Sequence, residues 1–392
     1  MDGRKQLLCV VRWPVGGIRS YMRYVYGCLS DAWQVTVLAV ETQERDALTA
    51  DVQQFGGELV LCRGERWGDV AALTAAVWRQ LRSRRYDVIQ SQGFTSASVV
   101  TAANWLPAVP HVLTVHGVLE ERYLTGWKGR IRRAVANRTI MGADVVYGVG
   151  HDILGHLAEQ VPGFDPDAPR VTAIPTGIAA DMYSSTPQNR GGFRRRAGVD
   201  EDTFLFGFLG RFMPQKGMDL LIDAVAELQK TSAGNAAFRV VAVGSGDYER
   251  VYRKQVQEHG LQDYVVFMPF QPGMTEVYHD LDAVIMPSRW EALPLVAAEA
   301  LCAGVPLVAS DCIGLREAVA ATPALTFPAG DAAALAACMA RLLADDGQIR
   351  AGFVRFQPQA AQRFDVRETA RRAEALFDGM IRNRHRLPQH DR

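Results

Sequence analysis

Four side chains have the types and spacing to handle a phosphorylated ligand: Arg211, Lys216, Glu291 and Glu299. Arg211 and Lys216 stand in Gly210-Arg211-Phe212-Met213-Pro214-Gln215-Lys216-Gly217, directly after the apolar run Phe204–Leu209. Two cations in a loop at the C-terminal end of a strand can neutralise a diphosphate, the arginine in bidentate fashion and the lysine as a point charge. Glu291 and Glu299, with seven residues between them, fall in Pro287–Gly304. The apolar run Ala283–Met286 ahead of them reads as a buried strand stopped at Pro287. Pro294 suits the first position of a helix, and Leu295 to Ala303 are mostly good helix formers closed by Gly304-Val305-Pro306. Glu291 then lies in the loop beyond the strand, and Glu299 one turn or so inside the helix. Amides around Leu295 and Val296 at that helix start suit a phosphate, and Glu299 can accept hydrogen bonds from a pair of hydroxyls such as a ribose diol. Taken singly, each glutamate reads sooner as a solvent-facing or loop charge; the strand–loop–helix arrangement as a whole favours the ligand reading.

The N-terminal half carries weaker signals of the same kind. Gln6–Val11 reads as a first strand, followed by a loop with Gly16-Gly17 and a helix from Ile18 to about Leu29. A glycine loop there lets backbone approach a ligand. Thr114-Val115-His116-Gly117 ends another strand and puts His116 at a strand's carboxyl end. Gly244-Ser245-Gly246, after Phe238–Val243, is a glycine turn compatible with close approach to a nucleotide. His151 and His156 do not share a helix face, so they do not form a metal pair. Asp165-Pro166-Asp167 lies in a Pro-containing loop and reads as a turn rather than a metal site. The segment Trp127–Arg138 is the one local basic cluster; a basic helix bearing a tryptophan suits an anionic lipid surface, as it also suits a solvated face.

These residues need a scaffold of alternating strands and helices. Val35–Val40, Glu58–Cys62, Asp87–Gln90, His111–Val115, Val145–Val149 and Val171–Ile174 read as strands, with helices such as Val70–Leu81 and Ser96–Trp105 between them. Repeated β then α units predict doubly wound parallel sheets. With 392 residues, 48% of them hydrophobic, the chain is too long for one core, and two domains are expected. The polar stretch Ser184–Gly192 is the expected join, giving domains 1–187 and 188–365, with 366–392 as a C-terminal helix and tail. Lys plus Arg and Asp plus Glu both number 43, so no charge bias favours nucleic acid. The six cysteines lack Cys-x-x-Cys spacing and read as buried free thiols of a reducing compartment. No run of eighteen apolar residues exists, so a cytoplasmic protein without a membrane span is expected, with peripheral contact at the inner face of the membrane left open.

The two glutamates, with Pro287-Ser288 before them and Glu299-Ala300 followed by Gly304-Val305-Pro306, resemble the signature of the retaining GT-B glycosyltransferases of family GT4. The Gly210-Arg211 and Lys216-Gly217 frame and Ile313-Gly314-Leu315-Arg316-Glu317 match the same family pattern. The resemblance covers nearly the whole chain and is strongest in its C-terminal half. It implies a GT-B fold, two Rossmann-like α/β domains facing across a cleft, the first on the acceptor side and the second on the donor side, with residues 366–392 crossing back to the first. It implies Arg211, Lys216, Glu291 and His116 as catalytic groups and Gly16, Gly17, Gly210, Gly246, Leu293, Leu295, Val296 and Glu299 as donor-binding groups. The donor is then a nucleotide-diphosphate sugar and the acceptor a saccharide or lipid-linked hydroxyl. No cofactor and no metal is required, since the cations and helix amides would stabilise the leaving diphosphate. Transfer with retention, in bacterial surface polysaccharide or glycolipid synthesis, is the activity implied. The chain departs from the pattern at Thr176, where the family usually has Asn, and near Pro269, where it usually has Gly. Two other readings remain open. A nucleotide-sugar epimerase on this fold would need further acid and base residues for sugar chemistry. A non-catalytic nucleotide-sugar binder would be expected to lose Arg211, Lys216 or Glu299, and all three are present. A nicotinamide enzyme is disfavoured, because Gly16-Gly17 is not the Gly-x-Gly-x-x-Gly fingerprint.

Overall fold

The computed structural model describes residues 3–64, 68–105, 108–119, 124–185, 191–231, 237–271 and 273–386. The chain divides into two compact units, Met1–Gly177 with Val366–Arg392, and Ile178–Asp365.

Among the described residues, the first unit is built on a seven-stranded sheet in the order β3-β2-β1-β4-β5-β6-β7. Its strands are β1 (Lys5–Val11), β2 (Trp33–Val40), β3 (Glu58–Cys62), β4 (Val88–Gln92), β5 (His111–Val115), β6 (Val145–Gly148) and β7 (Val171–Ala173). The second unit holds β8 (Phe204–Leu209), β9 (Phe238–Val243), β10 (Val265–Met268), β11 (Ala283–Met286), β12 (Leu307–Ser310) and β13 (Leu325–Phe327) in the order β10-β9-β8-β11-β12-β13. Every paired neighbour is parallel, so each sheet needs helical crossovers and is covered on both faces. That is why Leu7–Val11 and Ala283–Met286 are apolar throughout rather than alternating, and all buried.

Both sheets are doubly wound. Strand order runs outward in one direction from β1 and in the other from β4; in the second unit the reversal falls between β8 and β11. Loops leaving the carboxyl ends of those two strand pairs diverge to opposite faces and leave a crevice where ligands bind in such folds. The helix Met218–Gln229 packs on the second sheet through Leu220, Leu221, Ala224, Val225 and Leu228, within a core that includes Phe206, Phe212 and Met339. Burying each such large side chain is worth about 1.5–3 kcal/mol.

Several boundaries differ from the sequence expectation, three of them for an evident local reason. The first helix, Gly17–Tyr26, stops short of Leu29 at Gly27. The helix expected from Ser96 begins already at Gly93, whose φ of +80° lets the chain pass from β4 into the helix without a loop. The units part at Gly177 rather than near 187. The Ile178 amide donates to the Phe364 carbonyl at 2.8 Å, and the helix Ala180–Ser184 packs on the helices Leu295–Cys302 and Gln348–Arg363. Part of the polar stretch expected to mark the join, 186–190, lies outside the described residues. The helix Val366–Arg386 belongs to the first unit: Thr369 accepts the Gly177 amide at 2.9 Å and Lys5 pairs with Asp378 at 2.6 Å. The cysteines are free, but not all buried as expected: Cys28 is exposed, and Cys62 and Cys338 are half-buried.

Candidate functional site

In the second unit the loops after β8 and β11, the pair at the reversal, are tied together. Lys216 Nζ lies 2.8 and 2.9 Å from the two carboxylate oxygens of Glu291, which is 2% exposed. Ser288 donates its hydroxyl to the same carboxylate at 2.6 Å, and Ser310 of β12 donates to the Ser288 carbonyl at 2.6 Å. Around this pair the backbones interlock. The Arg289 amide donates to the Gln215 carbonyl at 2.8 Å, the Gln215 side chain donates to the Trp290 carbonyl at 3.0 Å, and the Glu291 amide donates to Ile313 at 2.9 Å. The Arg289 guanidinium holds Asp219 in a fork at 2.7 and 2.9 Å. Partial burial pushes the Asp219 carboxyl up, but the Arg289 bonds and charge outweigh it and hold the carboxyl below its ordinary value. Gly217 sits where these loops cross: its φ is +71°, and a Cβ there would lie 1.9 Å from the Pro287 carbonyl oxygen. No side chain fits.

Arg211 is exposed, and among the described residues its side chain makes no ion pair, so the site presents one paired and one unpaired cation. Gly210 has open space where a Cβ would stand. Gly246 does not: a Cβ would meet the Phe212 carbonyl oxygen at 2.4 Å, so packing of the β9 loop on the β8 loop itself requires a glycine there. Pro294 caps the helix Leu295–Cys302 from outside and is not its first residue. The Leu295 amide, expected to be available for a phosphate, donates to the Leu293 carbonyl at 2.8 Å, and Leu293 closes the loop in this way; Ala297 and Ala298 donate to the Pro294 carbonyl, so of the amides from Leu295 to Ala298 that of Val296 has no backbone acceptor among the described residues. Glu299 is half-buried, and its Oε2 accepts the hydroxyl of the buried Tyr278 at 2.5 Å. Arg211, Gly210, Lys216, Glu291 and the 293–299 segment thus gather around one strand-end crevice.

His116, Gly16 and Gly17 belong to the first unit. Gly16 precedes the first helix with a φ of +56°, and both glycines are exposed. His116 Nε2 is hydrogen-bonded to Gln92 Oε1, and its ring packs edge-on against Tyr21 with centroids 4.9 Å apart. Burial pulls its pKa down to about 3, so the ring is neutral near pH 7. Its Nδ1 is buried without a hydrogen-bond partner among the described residues.

The sequence reading missed the groups that hold these residues. Under the first crevice, Gln90 donates to Tyr21 and Thr114 at 2.9 and 2.8 Å, while Gln92 donates to Tyr26 at 2.8 Å. The signal was the run Gln90-Ser91-Gln92 ending an otherwise apolar strand. Tyr278 and the Arg289–Asp219 fork had no comparable signal, since their partners are remote in sequence; Ser288 lies only three residues from Glu291, within the quoted motif, but its bond to that carboxylate was not read from it. Asp165-Pro166-Asp167 is a turn, with the Asp167 amide on the Asp165 carboxylate at 3.0 Å. Among the described residues, no group of three or more His, Cys, Asp or Glu side chains is placed to hold a metal, and no helix is long and apolar enough to cross a membrane.

Comparison with known proteins fits this geometry. Residues 189–357 match the family "Glycosyl transferases group 1" and residues 16–177 the "Glycosyl transferase 4-like domain". The chain is 32% identical over 313 residues to a D-inositol 3-phosphate glycosyltransferase of Acidothermus cellulolyticus, covering 75% of this chain and 68% of that one. Alignments with two further relatives of that name span 63% and 58% of their length. Among solved structures, Anabaena HepE in complex with UDP and glucose superposes with a TM-score of 0.81 at 22% identity, covering 96% of this chain and 100% of that one. HepE in complex with UDP-glucose gives 0.80 at 23%, covering 95% and 99%. Two parallel-sheet units, the strand-end cations and glutamates, and these matches lead to one assignment: the chain belongs to the group 1 (GT4) glycosyltransferases, enzymes of the GT-B fold.

Proposed function

We propose that the chain transfers a sugar from a UDP-sugar to a hydroxyl of a saccharide, lipid-linked or inositol phosphate acceptor, with retention at the anomeric carbon and without a metal. The observation that carries this reading is the placement of Arg211 and of the Lys216–Glu291 pair around one crevice of the second unit. UDP is favoured by the ligands of HepE, and inositol phosphate enters the acceptor class through the name of the relatives.

In this reading the bond from the anomeric carbon to the β-phosphate oxygen breaks, and negative charge grows on that oxygen. Arg211, Lys216 and the Val296 amide stabilise it where it develops. The acceptor hydroxyl forms the new bond on the same face and yields its proton to the departing phosphate. Glu291 holds sugar hydroxyls and Glu299 the ribose diol. His116, neutral near pH 7, is suited to a hydrogen bond with a sugar hydroxyl. A metal would supply further charge neutralisation at the diphosphate, a task the two cations can fill.

The helix Gly126–Met141 supports peripheral contact with an anionic membrane from the cytoplasmic side. Trp127, Ile131 and Val135, spaced by four, are 68%, 55% and 52% exposed, and Lys128, Arg130, Arg132 and Arg138 flank them with no carboxylate in the helix. That placement suits glycolipid or surface polysaccharide synthesis. The test of the reaction is incubation of UDP-glucose with inositol phosphate and saccharide acceptors, with the anomeric configuration of the product read by NMR. An axial product from the axial donor supports retention; an equatorial one removes it.

A further inference from the structure

Two buried glutamines end β4. Gln90 and Gln92 stand two residues apart, hence on one face of the strand, and are 0% and 3% exposed. A buried amide has to find partners for both its nitrogen and its oxygen. Here the partners form one series of hydrogen bonds against the helix Gly17–Tyr26, and the series ends on His116.

The direction of the series is set at its far end. The Cys9 thiol donates to Met22 Sδ at 3.7 Å, and a thioether has no hydrogen to give back, so the Cys9 sulfur is left to accept. It accepts from Gln92 Nε2 at 3.6 Å, which puts the amide nitrogen of Gln92 on the Cys9 side. The same nitrogen donates to the Tyr26 hydroxyl at 2.8 Å, and Tyr26 passes its own hydrogen to Gln90 Oε1 at 2.8 Å. Gln90 in turn points its nitrogen at Tyr21 and Thr114. Both N–H groups of Gln92 are then engaged, and its Oε1, which faces His116 Nε2, can only accept. Nε2 therefore carries the ring hydrogen, since the bond made by one ring nitrogen decides the state of the other. Burial keeps the ring neutral at pH 7, and a neutral imidazole has a single ring N–H. Nδ1 is left as a bare acceptor, with no hydrogen-bond partner among the described residues.

We infer that Gln92 is a positioning residue of the transfer reaction: it fixes His116 as the Nε2–H tautomer, so that His116 takes a group with a hydrogen to give, a sugar hydroxyl, and turns away phosphate and carboxylate oxygens. The opposite tautomer would offer a donor at Nδ1 and would take an anionic oxygen as readily as a hydroxyl. With Nδ1 bare, an anionic oxygen would set lone pair against lone pair. The inference deepens the transfer reading by giving the direction of this hydrogen bond, and for the sugar as partner it rests on that reading. The tautomer itself depends only on contacts within the first unit.

The test is long-range ¹H–¹⁵N NMR of the whole protein labelled with ¹⁵N-histidine, with the His116 signals identified by their loss in His116→Gln. At pH 7 the wild type should show His116 with its hydrogen on Nε2 and a bare Nδ1. A hydrogen on Nδ1, or on both nitrogens, overturns the inference, and this measurement needs no variant of Gln92 to fold. Gln92→Leu, which has no acceptor, should lose the hydrogen-bonded Nε2–H signal, and Gln92→Glu, which keeps an acceptor oxygen, should retain it. A His116 spectrum unchanged in Gln92→Leu overturns the part given to Gln92. UDP-glucose, UDP-galactose and UDP-N-acetylglucosamine are then titrated beside UDP. At least one of the three should shift the Nδ1 signal toward the protonated range, as accepting a hydrogen bond does, while UDP alone leaves it in place. Binding of the sugar nucleotides with no such shift overturns the hydroxyl assignment. Failure of all four to bind removes the donor reading and the sugar with it, while the tautomer still decides the role of Gln92.

Discussion

Lys216 and Glu291, seventy-five residues apart, form a two-pronged ion pair at 2.8 and 2.9 Å that closes the crevice between the loops after β8 and β11. Glu291 is almost wholly buried and Lys216 largely so. Removing one partner leaves the other charge uncompensated. Lys216→Met is therefore expected to destabilise the second unit by about 3 kcal/mol, and the double variant Lys216→Met/Glu291→Gln to recover part of that loss. Urea unfolding of the two proteins checks this; equal midpoints for single and double variants would contradict the pair's structural role.

Arg211 presents the opposite case. It is exposed and makes no ion pair among the described residues, so its loss should leave stability within about 0.5 kcal/mol. Its charge should matter only as the diphosphate departs. Arg211→Ala is expected to lower turnover by roughly 10²–10³-fold, as loss of a preorganised charge-stabilising group does. A folded variant with undiminished turnover would remove Arg211 from the account.

Tyr278 holds the carboxylate assigned to the ribose, with its hydroxyl 2.5 Å from Glu299 Oε2. Tyr278→Phe keeps the ring and its edge-on packing on Tyr183 but drops that bond. UDP affinity should fall about tenfold, equivalent to about 1.4 kcal/mol, while the turnover number changes little. The preference for UDP over its 2′-deoxy analogue should shrink with it. An unchanged preference would mean that Glu299 does not read the ribose, or that Tyr278 does not orient it.

Burial holds two histidines neutral in the native state: His111, at about 4, whose Nε2 lies 2.8 Å from Ser91 Oγ, and His116, at about 3. Both lie below the unfolded value near 6.5, so the unfolded chain binds more protons between those limits. Stability is full above pH 6.5 and falls as pH drops toward 4, by up to about 1.4 kcal/mol per pH unit for each histidine. His111→Asn should flatten that slope by about half. Unfolding midpoints of both proteins at pH 7.5, 6 and 5 read this directly, and parallel slopes would contradict it.

Most of the sheet scaffold was legible because parallel strands buried on both faces must be continuous apolar runs. Phe204–Leu209, Phe238–Val243 and His111–Val115 fall at the observed positions for that reason. Lys216, Glu291, Arg211 and Glu299 were legible because each follows such a run at a short, fixed distance. What the sequence hid were the shapes of single loops and the meetings of remote ones. That the Leu295 amide bonds to Leu293 depends on the fold of one tight loop. That Gly246 answers to the Phe212 backbone depends on two loops meeting.

The central claim, a UDP-sugar site built on the strand ends of the second unit without a metal, is tested most directly by calorimetric titration of UDP into the whole protein in EDTA. The account predicts one-to-one binding that is weakened at least tenfold in Arg211→Ala and in Glu299→Ala. No binding, binding that appears only when Mg²⁺ is restored, or equal affinity in all three proteins would contradict it.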